Sequence, residues 1–122
     1  MLTKTLGLGM ACTIVLSTAI AEALYAAGSE SSRAPVEVPV ELWDRPRTGR
    51  VVMAVPAVRD ALKALLANPG TKLAVRHPPD LEPTLQAEEL RAWLVAHAVE
   101  PARIVLRADL QSRQPLRLEI GR

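Results

Sequence analysis

The chain has no phenylalanine, and in 122 residues its aromatics are Tyr25, Trp43 and Trp93. Cys12 is the single cysteine, which excludes a disulfide-stapled miniature fold. With so few rings, a stacking platform for single-stranded nucleic acid is excluded as well. Charge of one sign is also lacking: 15 basic against 13 acidic residues give a formal net charge of +2, far from the strongly basic balance of a nucleic-acid binder. No Gly-x-Ser-x-Gly elbow, phosphate loop, zinc-ligand spacing or dinucleotide fingerprint occurs. His77 and His97 are the only histidines, too few for a histidine-built metal centre. No cofactor is expected, and neither is an enzyme.

One long hydrophobic run is present, at the beginning. Lys4 precedes an apolar stretch from Leu6 to Ala21, followed by the small-residue groups Ala21-Glu22-Ala23 and Ala26-Ala27-Gly28. A charge, an apolar run and small residues, in that order, predict a secretory signal over residues 1–23, cut after Ala23 or as late as Ala27. An uncleaved anchor is the alternative, because the run approaches the roughly 20 residues that span a bilayer. Cys12 sits too early for a lipoprotein site, so membrane attachment is expected only through an uncleaved leader. Cleavage leaves about 95–99 residues, enough for one domain, in the periplasm or cell envelope. That part has no cysteine and a net charge still of +2, since Lys4 and Glu22 leave together.

Residues 24–35 read as a flexible exit segment, and 36–122 as a single domain. Val36, Val38, Val40 and Leu42 alternate with Glu37, Pro39 and Glu41, which predicts a strand over Val36–Trp43, and Pro39 puts it at a sheet edge. Asp44–Arg50 is a turn carrying Arg45, Arg47 and Arg50. Val51–Val55 fits either a buried strand or an early helical turn. From Pro56, a favoured first helical residue, Val58, Ala61, Leu62, Leu65 and Leu66 form one stripe, and Asn68-Pro69-Gly70 ends the helix. Thr71–His77 predicts a strand with Leu73 and Val75 inward, followed by a turn at Pro78-Pro79-Asp80. Leu85–Val99 predicts a second helix with Leu90, Trp93, Leu94 and Ala98 inward and Glu88, Glu89 and Arg91 towards the other side. Arg103–Arg107 and Leu116–Ile120 predict two more strands. The expected fold is α/β: a two-layer sandwich in the order strand-helix-strand-helix-strand-strand, with right-handed crossovers.

Two stretches, Val55–His77 (VPAVRDALKALLANPGTKLAVRH) and Ala87–Leu106 (AEELRAWLVAHAVEPARIVL), resemble the OmpA-like domain with which many envelope proteins hold peptidoglycan. The first is similar to that family's first helix, its Pro-Gly break and the strand entering a Gly-His-Thr-Asp turn. The second is similar to its Leu-Ser-x-x-Arg-Ala helix and the strand beginning Arg-Ile. Together they span about half of the chain beyond the leader. The resemblance implies that Arg91 matches the arginine and His77 the histidine of a site that cradles the diaminopimelate stem residue. The chain departs from the pattern where Pro78-Pro79 replace Thr-Asp and where Glu88 takes the Ser position. The loop between His77 and Arg91 is also about three residues short. Asp80 is the carboxylate left to complete the clamp.

These features predict an exported binding or interaction module with a degenerate OmpA-like domain. Its partner is an unidentified envelope protein or peptidoglycan, not nucleic acid. The candidate ligand residues are Arg91, His77, Asp80 and Arg76. Arg91 offers a bidentate fork for a carboxylate, although Glu88 lies one helical turn away as an ordinary partner. Arg76, His77 and Asp80 cluster where a strand runs into a loop, a common ligand position in α/β folds. Two alternatives are a peptidoglycan anchor using Arg91 with Asp80, and a periplasmic enzyme centred on His77 and Asp80. Trp43 with Arg45, Arg47 and Arg50 is the candidate partner contact, because a ring and three cations gather beside an edge strand able to accept another strand. Trp93 is assigned to the core.

Overall fold

The computed structural model describes residues 34–122. The predicted leader, both cleavage positions, Cys12 and all but the end of the exit segment lie outside the described residues. The elements in chain order are β1 (Val36–Glu37), a 3-10 turn (Val40–Asp44), α1 (Gly49–Met53), α2 (Pro56–Ala67), β2 (Lys72–Arg76) and α3 (Leu81–Ala96). A second 3-10 turn (Pro101–Arg103), β3 (Ile104–Arg107) and β4 (Arg117–Gly121) follow. The four strands form one mixed sheet in the order β1-β4-β2-β3. Strand β4 is antiparallel to both β1 and β2, and β2 is parallel to β3. The mixed α/β class and the expected order of main elements are both present.

Alternation within the strands separates two faces. Leu73 and Val75 of β2, Leu118 and Ile120 of β4, and Ile104 of β3 are buried in one cluster with Val58, Ala61 and Leu65 of α2 and Ala87, Leu90 and Leu94 of α3. Lys72, Ala74, Arg76, Arg117, Glu119, Val105 and Arg107 occupy the alternate positions on the opposite side. The helices therefore cover one face only among the described residues. Among the described residues, no helix is long and apolar enough to cross a membrane.

Several expectations need correction. The strand drawn over Val36–Trp43 is only Val36–Glu37, at the predicted edge. The Val38 amide still donates to the Leu116 carbonyl (2.8 Å), but Pro39 has no amide to continue the ladder. Its carbonyl instead accepts from the Leu42 amide (3.2 Å), opening the 3-10 turn. Val38 and Leu42 are then buried while Val36 and Val40 are exposed, a spacing of four rather than two. Val51–Val55 resolves as helix over its first three residues, because the Thr48 hydroxyl caps α1 by accepting from the Val51 amide (3.2 Å).

Helix α2 runs over the expected residues and stops at Asn68, whose side-chain amide donates to the Ala64 carbonyl (3.0 Å). Leu66, placed on its buried stripe, is instead exposed. Helix α3 begins at Leu81, four residues before the expected Leu85, since Pro83 is tolerated within a first turn. It ends at Ala96, and Ala98 lies outside it with φ 75°. The Val99 amide donates to the Leu94 carbonyl and the Ala98 amide to the Val95 carbonyl, both at 3.1 Å. This is a Schellman termination with Ala98 at the left-handed position, so Ala98 is exposed and not inward.

Candidate functional site

The end of β2 carries Arg76 and His77 towards the N-terminus of α3, where Asp80 is the capping residue. Proximity in the chain does not assemble them into a site. His77 is 3% exposed, and its amide and carbonyl extend the sheet, donating to Arg107 (2.9 Å) and accepting from Leu110 (3.2 Å). Its Nδ1 lies 2.7 Å from the Pro78 carbonyl and 3.5 Å from the Thr84 hydroxyl. The carbonyl only accepts, so Nδ1 carries the proton. The Thr84 hydroxyl spends its own proton on the Asp80 carbonyl (2.8 Å). His77 is thus a satisfied histidine that closes the β2–α3 corner.

Arg76 is committed within the sheet, pairing with Asp109 at 2.9 Å and Glu119 at 3.7 Å. Asp80 is exposed, and its carboxylate makes no capping hydrogen bond. It forms no ion pair with Arg91 among the described residues. Eleven residues of helix separate the two by about 16 Å of rise, more than either side chain spans. Arg91 lies on the flank of α3, half-buried, with its Nε sealed from solvent and without an acceptor among the described residues. A buried donor left unsatisfied costs stability and calls for an explanation. No group of three or more His, Cys, Asp or Glu among the described residues is arranged to hold a metal ion.

The second candidate set is better assembled. The Arg47 Nε donates to Glu89 Oε1 at 2.6 Å, while its Nη1 donates to the carbonyls of Trp43 and Arg45, each at 3.2 Å. The guanidinium lies over the Trp43 ring, 5.3 Å from its centroid, at cation–π distance. Glu89 also accepts from the Trp93 indole (3.4 Å). Arg47 therefore clamps the segment between the 3-10 turn and α1 onto α3, and is not free for a partner. Glu89, expected towards solvent, is the half-buried centre of this cluster. Its spacing of four from Trp93 was the signal that could have revealed it. Trp93 is only partly buried, packed at the rim of the core with Trp43.

Arg45 and Arg50 remain exposed, without an ion pair among the described residues. On the side of α3's first turns, Trp43 forms one wall of a cleft of about 250 Å³, together with Val40, Pro83, Gln86, Arg113 and Pro115. The carboxylates of Asp44 and Glu82 stand at the same cleft. An aromatic wall, amides and charges of both signs suit recognition of a polar partner. None of these groups forms a nucleophile–base pair.

The chain matches no protein-family model, no curated protein sequence and no solved structure.

Proposed function

We propose that this is an exported cell-envelope protein whose folded part is a degenerate OmpA-like domain acting as a non-catalytic binding module. The framework supports the kinship, because the element order is the one the two resembling stretches imply. The first stretch covers α2 and β2, and the second covers most of α3 and β3. The observation that carries the non-anchoring reading is the state of the clamp. Arg91 and Asp80 form no ion pair, and His77 is turned into the corner on the Pro78 carbonyl. The surface we assign to partner contact is the Trp43 cleft with the exposed Arg45 and Arg50. Arg47 holds Trp43 in place for it.

One observation favours a second reading, a peptidoglycan anchor using Arg91 with Asp80: the Arg91 Nε has no acceptor, as expected of a donor kept for a ligand. Co-sedimentation with purified sacculi separates the two. The module reading predicts that the protein stays in the supernatant. Pelleting that disappears in Arg91→Ala would transfer the assignment to the anchor. Export is tested by the mass of the protein recovered from the envelope fraction, expected to begin at Leu24 or Gly28. A full-length chain confined to the cytoplasm would end the envelope reading.

A further inference from the structure

The sheet face opposite the helices carries an unusual arrangement of charge. The strand registers align Glu37, Arg117, Arg76 and Arg107 in one row across β1, β4, β2 and β3. Three arginines thus occupy directly opposed positions on adjacent strands about 4.8 Å apart, where like charges cost stability. Arg76, in the middle, is relieved by Asp109 and Glu119, and Arg117 by Glu37 at 3.5 Å. Arg107 has no carboxylate within 4.0 Å among the described residues, and the same holds for Lys72 and Arg122. These three uncompensated cations border a groove of about 300 Å³. Its floor is made of Ala74, Val105 and Gly121, and Glu119, which pairs with Arg76, also lines it.

We propose that this bare sheet face docks a carboxylate-rich segment of another protein. Its backbone lies on the Ala74–Val105–Gly121 floor, and its acidic side chains reach Arg107, Lys72 and Arg122. Among the described residues, five cationic side chains face three side-chain carboxylates on this side of the sheet, so charge complementarity selects an anionic occupant. Ala74 and Gly121 keep the floor low beside Val105, which admits another backbone at close range, as a strand glycine does. The groove is concave, and among the described residues Val105 is the one exposed large hydrophobic that lines it, so it lacks the projecting hydrophobic surface that seats a protein in a bilayer. Among the described residues no aromatic ring lines this groove to stack a base. The proposal rests on neither export nor the family resemblance.

The test uses the full chain and fluorescein-labelled poly-L-glutamate, read by anisotropy at low salt. We expect saturable binding that weakens about tenfold or more in the double variant Lys72→Glu/Arg107→Glu, a loss of about 1.4 kcal/mol or more. Ala74→Leu, which fills the floor and keeps every charge, should weaken binding as well. Arg59→Glu/Lys63→Glu, with the same change of charge at exposed positions of α2 on the helical side, should leave affinity within about twofold. No binding, or equal losses in both double variants, would overturn the proposal. So would tighter binding to phosphatidylglycerol vesicles or polyphosphate than to poly-L-glutamate, because the occupant would then be a membrane or a phosphate polymer.

Discussion

Arg91 is the residue whose surroundings decide most about the candidate site. The residue is half-buried and its Nε is sealed without an acceptor among the described residues, so the folded state carries a desolvation cost that those residues do not offset. Replacing it by Met keeps the apolar stem and removes the unsatisfied donor. Arg91→Met should therefore raise stability by about 1 kcal/mol in urea unfolding. A loss instead would mean that the guanidinium contributes an interaction the fold depends on. Arg91 was visible as a candidate through its match to the Arg-Ala pair of the family the stretch resembles, and periodicity placed it on the outer side of a helix. The burial of His77 was not visible, since it depends on Arg107 and Leu110 pairing with its backbone from 30 or more residues away. Arg47 was legible as part of a cationic turn, but its partner Glu89 is 42 residues distant, beyond any local pattern.

At the scale of elements, boundaries were legible where the chain carries its own stop. Pro56 and Asn68-Pro69-Gly70 delimit α2, and both ends agree with the sequence reading. The start of α3 escaped it because Leu81 and Leu85 are exposed, leaving the first turns outside the buried stripe that periodicity detects. Its end escaped because an alanine fills a position usually held by glycine. A left-handed residue with a Cβ carries a penalty of roughly 1–2 kcal/mol, so Ala98→Gly should stabilise the fold by about 1 kcal/mol. A lower melting temperature for that variant would contradict the Schellman assignment. Arg103 ties the C-terminus of α2 to the start of β3. Its Nε donates to the Thr71 carbonyl (2.9 Å) and its Nη2 to the carbonyls of Leu65 (2.7 Å) and Asn68 (2.9 Å). These are carbonyls at and just beyond the helix C-terminus, where positive charge is favoured. A lysine cannot span them with one point charge, so Arg103→Lys should cost about 2 kcal/mol by thermal or urea unfolding. An unchanged midpoint would remove Arg103 from the account.

For the whole molecule, the two-layer arrangement follows from strands that are apolar on one side only and from helices long enough to cover that side. Leu, Val, Ile and Ala fill the core, and the two tryptophans are only partly buried at its rim. The layer count and element order were therefore legible, because they depend on periodicity within each segment. The candidate site was legible as a list of residues and not as a geometry. Whether Asp80 meets Arg91 is set by where α3 begins, and that helix start was the boundary the sequence obscured. Once Asp80 caps the helix, Arg91 is about 16 Å further along the axis, and a conventional carboxylate–guanidinium clamp cannot close.

The most direct measurement is an amide NMR titration of the protein with a diaminopimelate-containing muropeptide, followed at Thr84, Asp80 and Arg91. An unassembled clamp predicts no saturable shifts at these positions up to millimolar ligand. Saturable shifts there that vanish in Arg91→Ala would contradict it, and would make the chain a peptidoglycan anchor.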